Sequence, residues 1–281
     1  MDTAKYVFLD IDGTLCEHHT GIPESAKAAV AAARKAGHKV FLCTGRSKME
    51  AESEISFKFF DGAVCSSGAF VEAGDKLLFS QPLAPSLLQG ICTLLDSFPI
   101  AYNLEGYPFS YLNENALSFF RAAFSKECTG DRNQEIEREF KIKNMASIKE
   151  YSFLEDQEIY KISIFTYSPE ICEKIRGKLP LSMNFTVNYM GMDKIYNAEI
   201  SNRSATKATG IDIILNYFGA ALSQTIGFGD SLNDEPMIRH CDIGVCMGNG
   251  DTRLKIISDY VCERVENDGI LKAFRHFGLI G

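Results

Sequence analysis

Tyr6-Val7-Phe8-Leu9-Asp10-Ile11-Asp12-Gly13 is the stretch that decides the fold. A short run of apolar and aromatic residues that ends at Asp-Gly reads as a strand buried on both faces and followed by a turn. Outward from it, Pro23 to Ala36 is Ala-rich, with Pro at its start and Gly37 just past its end, the pattern of a helix. His38 to Cys43 is a second strand, ending in Thr44-Gly45-Arg46, and a polar helical stretch runs from Ser47 to about Lys58. Strand, helix, strand, helix implies parallel pairing through right-handed crossovers.

Ala63 to Cys65, then Ala69 to Val71 and Lys76 to Phe79 around Gly74-Asp75, read as a strand and a hairpin. The rhythm changes between Leu83 and Asn188. Helical stretches (Pro85–Phe98, Asn115–Phe124, Pro169–Lys178) there alternate with strand-like pieces (Ile100–Leu104, Phe109–Leu112, Tyr160–Tyr167, Met183–Tyr189). Units of this sort predict a separate sheet covered by helices on one face. Ser125 to Lys143 is charged and reads as a solvated surface. The first pattern returns with a helix over Thr206–Tyr217 and a strand over Thr225–Phe228. A helix over Asp234–Cys241, a strand over Ile243–Met247 and a last helix over Gly269–His276 follow. The expected fold is therefore α/β, a doubly wound parallel sheet of Rossmann type built from residues 1–82 and 188–281, with an inserted α+β domain at 83–187. The junctions near Gln81-Pro82 and Tyr189-Gly191 are the expected hinges.

The chain's 281 residues, 46% hydrophobic and 23% charged, suit folded globular material. Lys plus Arg number 29 against 37 Asp plus Glu, a net charge of −8, which disfavours a grip on the phosphates of long nucleic acids. No apolar run approaches the roughly 18 residues that a membrane span needs. The first residues lead straight into the strand without the apolar stretch of a secretory signal, so the expected compartment is the cytoplasm. The nine cysteines are scattered, with no C-x-x-C pair, and read as buried filler rather than a disulfide framework or zinc site.

Asp10 and Asp12 share one side of the strand end, because residues i and i+2 face the same way. Open α/β sheets bind ligands beyond that edge. Two carboxylates about 4 Å apart repel by roughly 1 kcal/mol in water and about 4 at an effective dielectric of 20, so they call for a cation or a shared proton. Alone, an Asp-x-Asp is equally an acidic pair in a solvated turn. Thr44-Gly45-Arg46, Lys207 near a helix start, and Gly229-Asp230-Ser231-Leu232-Asn233-Asp234 occupy the same edge, though each singly is an ordinary turn, surface lysine or helix cap. Their coincidence at one sheet edge points to a single site.

Taken in order, D-x-D-G-T-L, T-G-R, Lys and G-D-S-L-N-D resemble the four motifs of the haloacid dehalogenase superfamily, in particular its Cof-like sugar-phosphatase branch with an αβ cap. The resemblance extends to the Ser67-Gly68-Ala69 step and to Gly244-Val245 followed by Met247-Gly248-Asn249. The loop Gly13–Ile22 is too short for an inserted domain, so the cap must be the later insertion. The resemblance implies a magnesium-dependent phosphatase of small phosphorylated metabolites, sugar phosphates foremost, acting without nucleic-acid or membrane partners as a monomer or weak dimer. It implies Asp10 as nucleophile, Asp12 as general acid and base, and Thr44 and Lys207 holding the phosphoryl, with Gly13, Gly45, Arg46 and Asn233 around it. The Mg²⁺ site it implies has Asp10, the backbone carbonyl of Asp12 and Asp230 as ligands, with Asp234 and Asn233 holding metal-bound water or supporting those ligands. Ala208 stands where the family has glycine, with little consequence expected because the lysine and helix start survive. Arg46 equally suits reaching substrate or cap and bracing the helix after Ser47. His18 and His19 read as solvated loop. A phosphomutase of the same superfamily and a non-catalytic sensor of a phosphorylated metabolite stay open as alternatives.

Overall fold

A computed structural model describes residues 4–17, 21–116, 118–119, 145–147, 156–190 and 195–281. His18, His19, Cys128, the stretch Ser125–Lys143 and the end of the helix expected over Asn115–Phe124 lie outside the described residues. The chain forms two compact units, one of Met1–Arg46, Glu54–Ser80 and Ala205–Gly281, the other of Ser47–Ser53 and Gln81–Ser204.

The larger unit is built on an eight-stranded sheet. Its first strands are β1 (Tyr6–Leu9), β2 (Lys39–Cys43), β3 (Gly62–Cys65), β4 (Phe70–Ala73) and β5 (Lys76–Ser80). β12 (Thr225–Gly229), β13 (Ile243–Cys246) and β14 (Tyr260–Val261) complete it, in the spatial order β14-β13-β12-β1-β2-β3-β4-β5. Pairing is parallel from β14 to β3 and antiparallel across β3, β4 and β5. This is the doubly wound sheet that the alternation predicts. Short β14 and helix α7 (Thr252–Ile257) are additions, because two and six residues carry too little periodicity to read.

Register places the chemistry. Leu9 lies opposite both Leu42 of β2 and Phe228 of β12, so three strands end at one level and the residues after them emerge together. Below that edge Phe8 and Phe41 stack at 5.3 Å, and they pack in one cluster with Val64, Ile211 and Ile214. The last two belong to α5 (Lys207–Phe218), whose apolar side is drawn down on the sheet. The remaining helices of this unit are α1 (Glu24–Lys35), α6 (Glu235–His240) and α8 (Gly269–His276), close to the expected spans.

The smaller unit carries a second sheet of order β10-β11-β9-β6-β7-β8. It comprises β6 (Ala101–Gly106), β7 (Ser110–Leu112), β8 (Met145–Ser147), β9 (Ile159–Thr166), β10 (Met183–Met190) and β11 (Ile195–Asn202). Its pairs are antiparallel except β7 with β8. Tyr102, Leu104, Ile162, Ile164, Ala198 and Ile200 bury one face in a cluster that includes Leu88 and Leu95 of α3 (Pro85–Asp96) and Ile175 of α4 (Pro169–Arg176). The expected boundary at 187/188 needs correction. It cuts through β10, which pairs along its length with β11, and β11 pairs with β9, so these residues stay with the smaller sheet as far as Ser204. For the same reason Tyr189 lies on a hairpin strand, and the chain returns to the larger unit at Ala205. α2 (Lys48–Glu54) also falls almost wholly to the smaller unit, a grouping that no local pattern announces.

The other face of this sheet, reached by alternate side chains, carries an apolar cluster of Ala101, Leu112 and Phe165 and, further along the strands, a charged group. There the Lys161 ammonium lies 3.1 Å from Glu105 Oε2 and 3.0 Å from Glu199 Oε1. Burial, with Glu50 and Glu199 adding to it, outweighs the pull of Lys161, so the Glu105 carboxyl is pushed up to about 7. The folded protein therefore holds this proton where the unfolded chain, near 4.5, has lost it. With more protons bound in the native state, stability falls as pH rises between those two values. Urea denaturation from pH 4.5 to 7.5 is expected to show that decline in the wild type, by on the order of 2 kcal/mol, and a flatter profile in Glu105→Gln. Superimposable profiles would refute the assignment.

Candidate active site

Every residue of the acidic and phosphate-binding motifs falls in the larger unit, at the edge where β1, β2 and β12 end. Asp10 directly follows β1, its backbone N–H bonded to Phe228 O at 3.0 Å, and its side chain is buried. Oxygens of Asp10, Asp230 and Asp234 lie within 4.8 Å of one another. Into this group comes Lys207, the first residue of α5, 1% exposed. Its ammonium donates to Asp10 Oδ1 at 2.6 Å and to Asp234 Oδ1.

Local structure fixes Lys207 there. Thr206 caps α5, its hydroxyl accepting the Thr209 N–H at 3.1 Å while Thr209 Oγ1 accepts the Thr206 N–H at 3.0 Å. Ala208 takes no part in this reciprocal cap, so the departure from glycine leaves the helix start intact. Gly68, at φ +108°, lets the Thr206 backbone approach so closely that a Cβ would stand 2.1 Å from Thr206 O. Gly13 does the same for the acidic loop, since a Cβ there would stand 2.3 Å from Asp230 Oδ2.

Asp234 is engaged through both oxygens. Its Oδ2 accepts the N–H groups of Asp230 and Ser231 at 2.9 and 3.0 Å, while Oδ1 faces Lys207. Asp230 is poorly compensated by comparison, and burial and then Asp234 push its carboxyl up to about 7. Burial and the neighbouring Asp234 also hold Asp10 well above the usual carboxylate range, against the pull of Lys207. For Lys207, burial works against the charge, but Asp10 and Asp234 outweigh it and keep the ammonium protonated. Three carboxylates against one ammonium, with donors that are all oxygen, fit a small hard divalent cation.

Asp12 stands apart from this group. Its carboxylate meets the Arg46 guanidinium through two bonds, Nε to Oδ2 at 2.7 Å and Nη2 to Oδ1 at 2.5 Å. Arg46 Nη1 also donates to Glu54 Oε2 at 2.7 Å. The bond to Glu54 of α2 fits the expectation that Arg46 braces the helix after Ser47, and Asp12 is a partner that neither expectation included. Thr44 is buried, and its Oγ1 accepts the Arg46 N–H at 3.1 Å, which leaves its own O–H to donate elsewhere. Gly45 lies beside Asn233, its Cβ position 3.6 Å from Asn233 Nδ2, so the second and fourth motifs meet. The structure thus brings together Asp10, Asp230, Asp234 and Lys207, joins Asp12 to Arg46, and sets Thr44, Gly45 and Asn233 alongside.

Three supporting residues have roles that the sequence reading did not assign, although Thr14 and Asn249 stand in the stretches that carry the resemblance. Glu54 is one, legible only as a helix carboxylate. Asn249 is another, its Nδ2 donating to Gly13 O at 2.6 Å across a sequence gap that no pattern bridges. Thr14 is the third, with Oγ1 at 3.5 Å from Asp230 Oδ1.

The profile of the haloacid dehalogenase-like hydrolases matches residues 7–274. Among curated relatives, the putative phosphatase YkrA of Bacillus subtilis is 27% identical over 99% of this chain and 99% of its own. From the same organism, the 5-amino-6-(5-phospho-D-ribitylamino)uracil phosphatase YcsE is 24% identical over 98% and 96%. Among solved structures, the HAD subclass IIB sugar phosphatase BT4131 superimposes with a TM-score of 0.77 at 25% identity, covering 99% of this chain and all of that one. The chain belongs to the haloacid dehalogenase-like hydrolase family, in its Cof-like branch. It is a phosphatase, a hydrolase of phosphoric monoesters.

Lys207 is the buried cation on which these carboxylates converge. Lys207→Met is expected to lower stability by about 3 kcal/mol in EDTA, because an uncompensated buried charge remains. Urea denaturation checks it, and an unchanged midpoint would show that the cluster does not depend on the ammonium.

Proposed function

We propose that this chain hydrolyses small phosphorylated metabolites, sugar phosphates foremost, in a Mg²⁺-dependent reaction through an aspartyl-phosphate on Asp10. The observation that carries the reading is the pairing of two unlike carboxylates two residues apart. Asp10 is buried against Lys207 within the acidic group, and Asp12 is turned to Arg46 outside it.

Asp10, Asp230 and Asp234, with the backbone carbonyl of Asp12, would hold the cation. When bound, Mg²⁺ supplies the positive charge that lets an anionic nucleophile approach a phosphate dianion. An Asp10 oxygen attacks phosphorus as the ester P–O bond breaks, and the electron pair leaves with the substrate oxygen. That oxygen takes a proton from Asp12, which enters the step in its protonated form. Asp12 then accepts a proton from water, whose oxygen forms a new bond to phosphorus while the P–O bond to Asp10 breaks. Inorganic phosphate departs, Asp10 is again a carboxylate and Asp12 again carries its proton. The Lys207 ammonium, the Thr44 hydroxyl and the backbone around Gly13, Gly45, Arg46 and Asn233 hold the phosphoryl oxygens as charge builds on them. In this reading the smaller unit is the cap that selects the leaving group. The sugar phosphatase BT4131 supports the substrate class by its likeness over the whole chain, and YcsE adds ribityl phosphates to the compounds worth testing.

A panel of sugar, ribityl and aryl phosphates incubated with protein and Mg²⁺ is expected to release inorganic phosphate from some members. Asp10→Asn should cut that release roughly 10³-fold or more. EDTA should abolish turnover and excess Mg²⁺ restore it. No release from any ester, or equal release by wild type and Asp10→Asn, would end the proposal.

A further inference from the structure

The Arg46–Asp12 pair is the part of the site that neither phosphate binding nor the acidic group explains. Two guanidinium nitrogens meet the two oxygens of one carboxylate at 2.7 and 2.5 Å, the planar fork that arginine forms and lysine cannot. Arg46 is held at three further points. Its N–H is fixed on Thr44 Oγ1 at 3.1 Å, its carbonyl accepts the Ser66 N–H at 2.7 Å, and its third nitrogen is occupied by Glu54 at 2.7 Å. Both partners are largely sheltered, the arginine side chain 15% exposed and the aspartate 28%.

We infer that Arg46 is the positioning residue for Asp12: it fixes the plane and reach of the carboxylate that exchanges protons with the leaving oxygen. Thr44 on the phosphoryl side and Asp12 on the leaving-group side are thereby joined through one residue, from Oγ1 to backbone N–H to guanidinium. Glu54 holds the far side of the guanidinium, so the fork keeps its orientation when one carboxylate oxygen turns to substrate. The inference rests on Asp12 acting as the acid and base, and the experiment separates the two.

The test is kcat/KM on a series of substituted phenyl phosphates, which differ little in shape but widely in how much the departing oxygen needs a proton. Asp12→Asn is expected to steepen the dependence on leaving-group pKa. Arg46→Ala should steepen it in the same sense, slowing phenyl phosphate at least tenfold more than 4-nitrophenyl phosphate. Arg46→Lys keeps stem and charge, guards against a folding failure, and should steepen it by a smaller factor because a point charge cannot hold both oxygens. In the Asp12→Asn background, Arg46→Ala should add no further steepening. If Asp12→Asn leaves the dependence unchanged, the acid and base reading fails and this inference with it. If Asp12→Asn steepens it while Arg46→Ala and Arg46→Lys slow every ester by one common factor, the positioning role alone is overturned.

Discussion

A buried ammonium among three carboxylates is the constraint that the rest of the larger unit serves. Burying like charges together is unfavourable unless each finds a partner, and Lys207 can satisfy only part of the demand. Asp234 closes the account on its own side with two backbone N–H groups, whereas Asp10 and Asp230 are left protonating above their ordinary range. The cluster is held by scaffold rather than by its own attraction. Strand ends at a common level, the capped start of α5, and two glycines that admit close backbone and carboxylate approach force the groups together.

That arrangement separates two chemically identical side chains by environment. Asp10 sits against an ammonium with two acidic neighbours, which suits a nucleophile awaiting a cation. Asp12, two residues on, meets a guanidinium that uses both its oxygens. Strand geometry puts the pair on one side, but their partners arrive from remote parts of the chain. α5 supplies Lys207 to Asp10, and the residues after β2 supply Arg46 to Asp12.

The smaller unit follows different rules. Its sheet is mostly antiparallel and apolar toward α3 and α4, and on the other face Glu105, Lys161, Ser163 and Glu199 form a charged network beside the apolar cluster of Ala101, Leu112 and Phe165. There α3, α4, β6, β7, β9 and β10 were legible from alternation, whereas β8 and β11 were not. The extent of the unit was not, because β11 alternates polar and apolar residues without a turn signal that ties it to either sheet, and only its ladder with β10 and β9 assigns it.

Sequence alone determined the elements and the inventory. The apolar run before Asp10-Ile11-Asp12-Gly13, the Ala-rich helix and the return of the same rhythm after Lys207 specify a parallel sheet. Residue order also placed Asp10, Thr44, Lys207 and Asp230 at one edge, since strand ends of a parallel sheet lie on the same side. Only tertiary structure decided who meets whom. That Arg46 grips Asp12, that Glu54 and Asn249 brace the loops, and that the second sheet runs to Ser204 depend on distances between residues far apart in the chain. Side-chain pairing of that kind leaves no periodicity, because it is selected by packing in space and not by neighbours along the backbone.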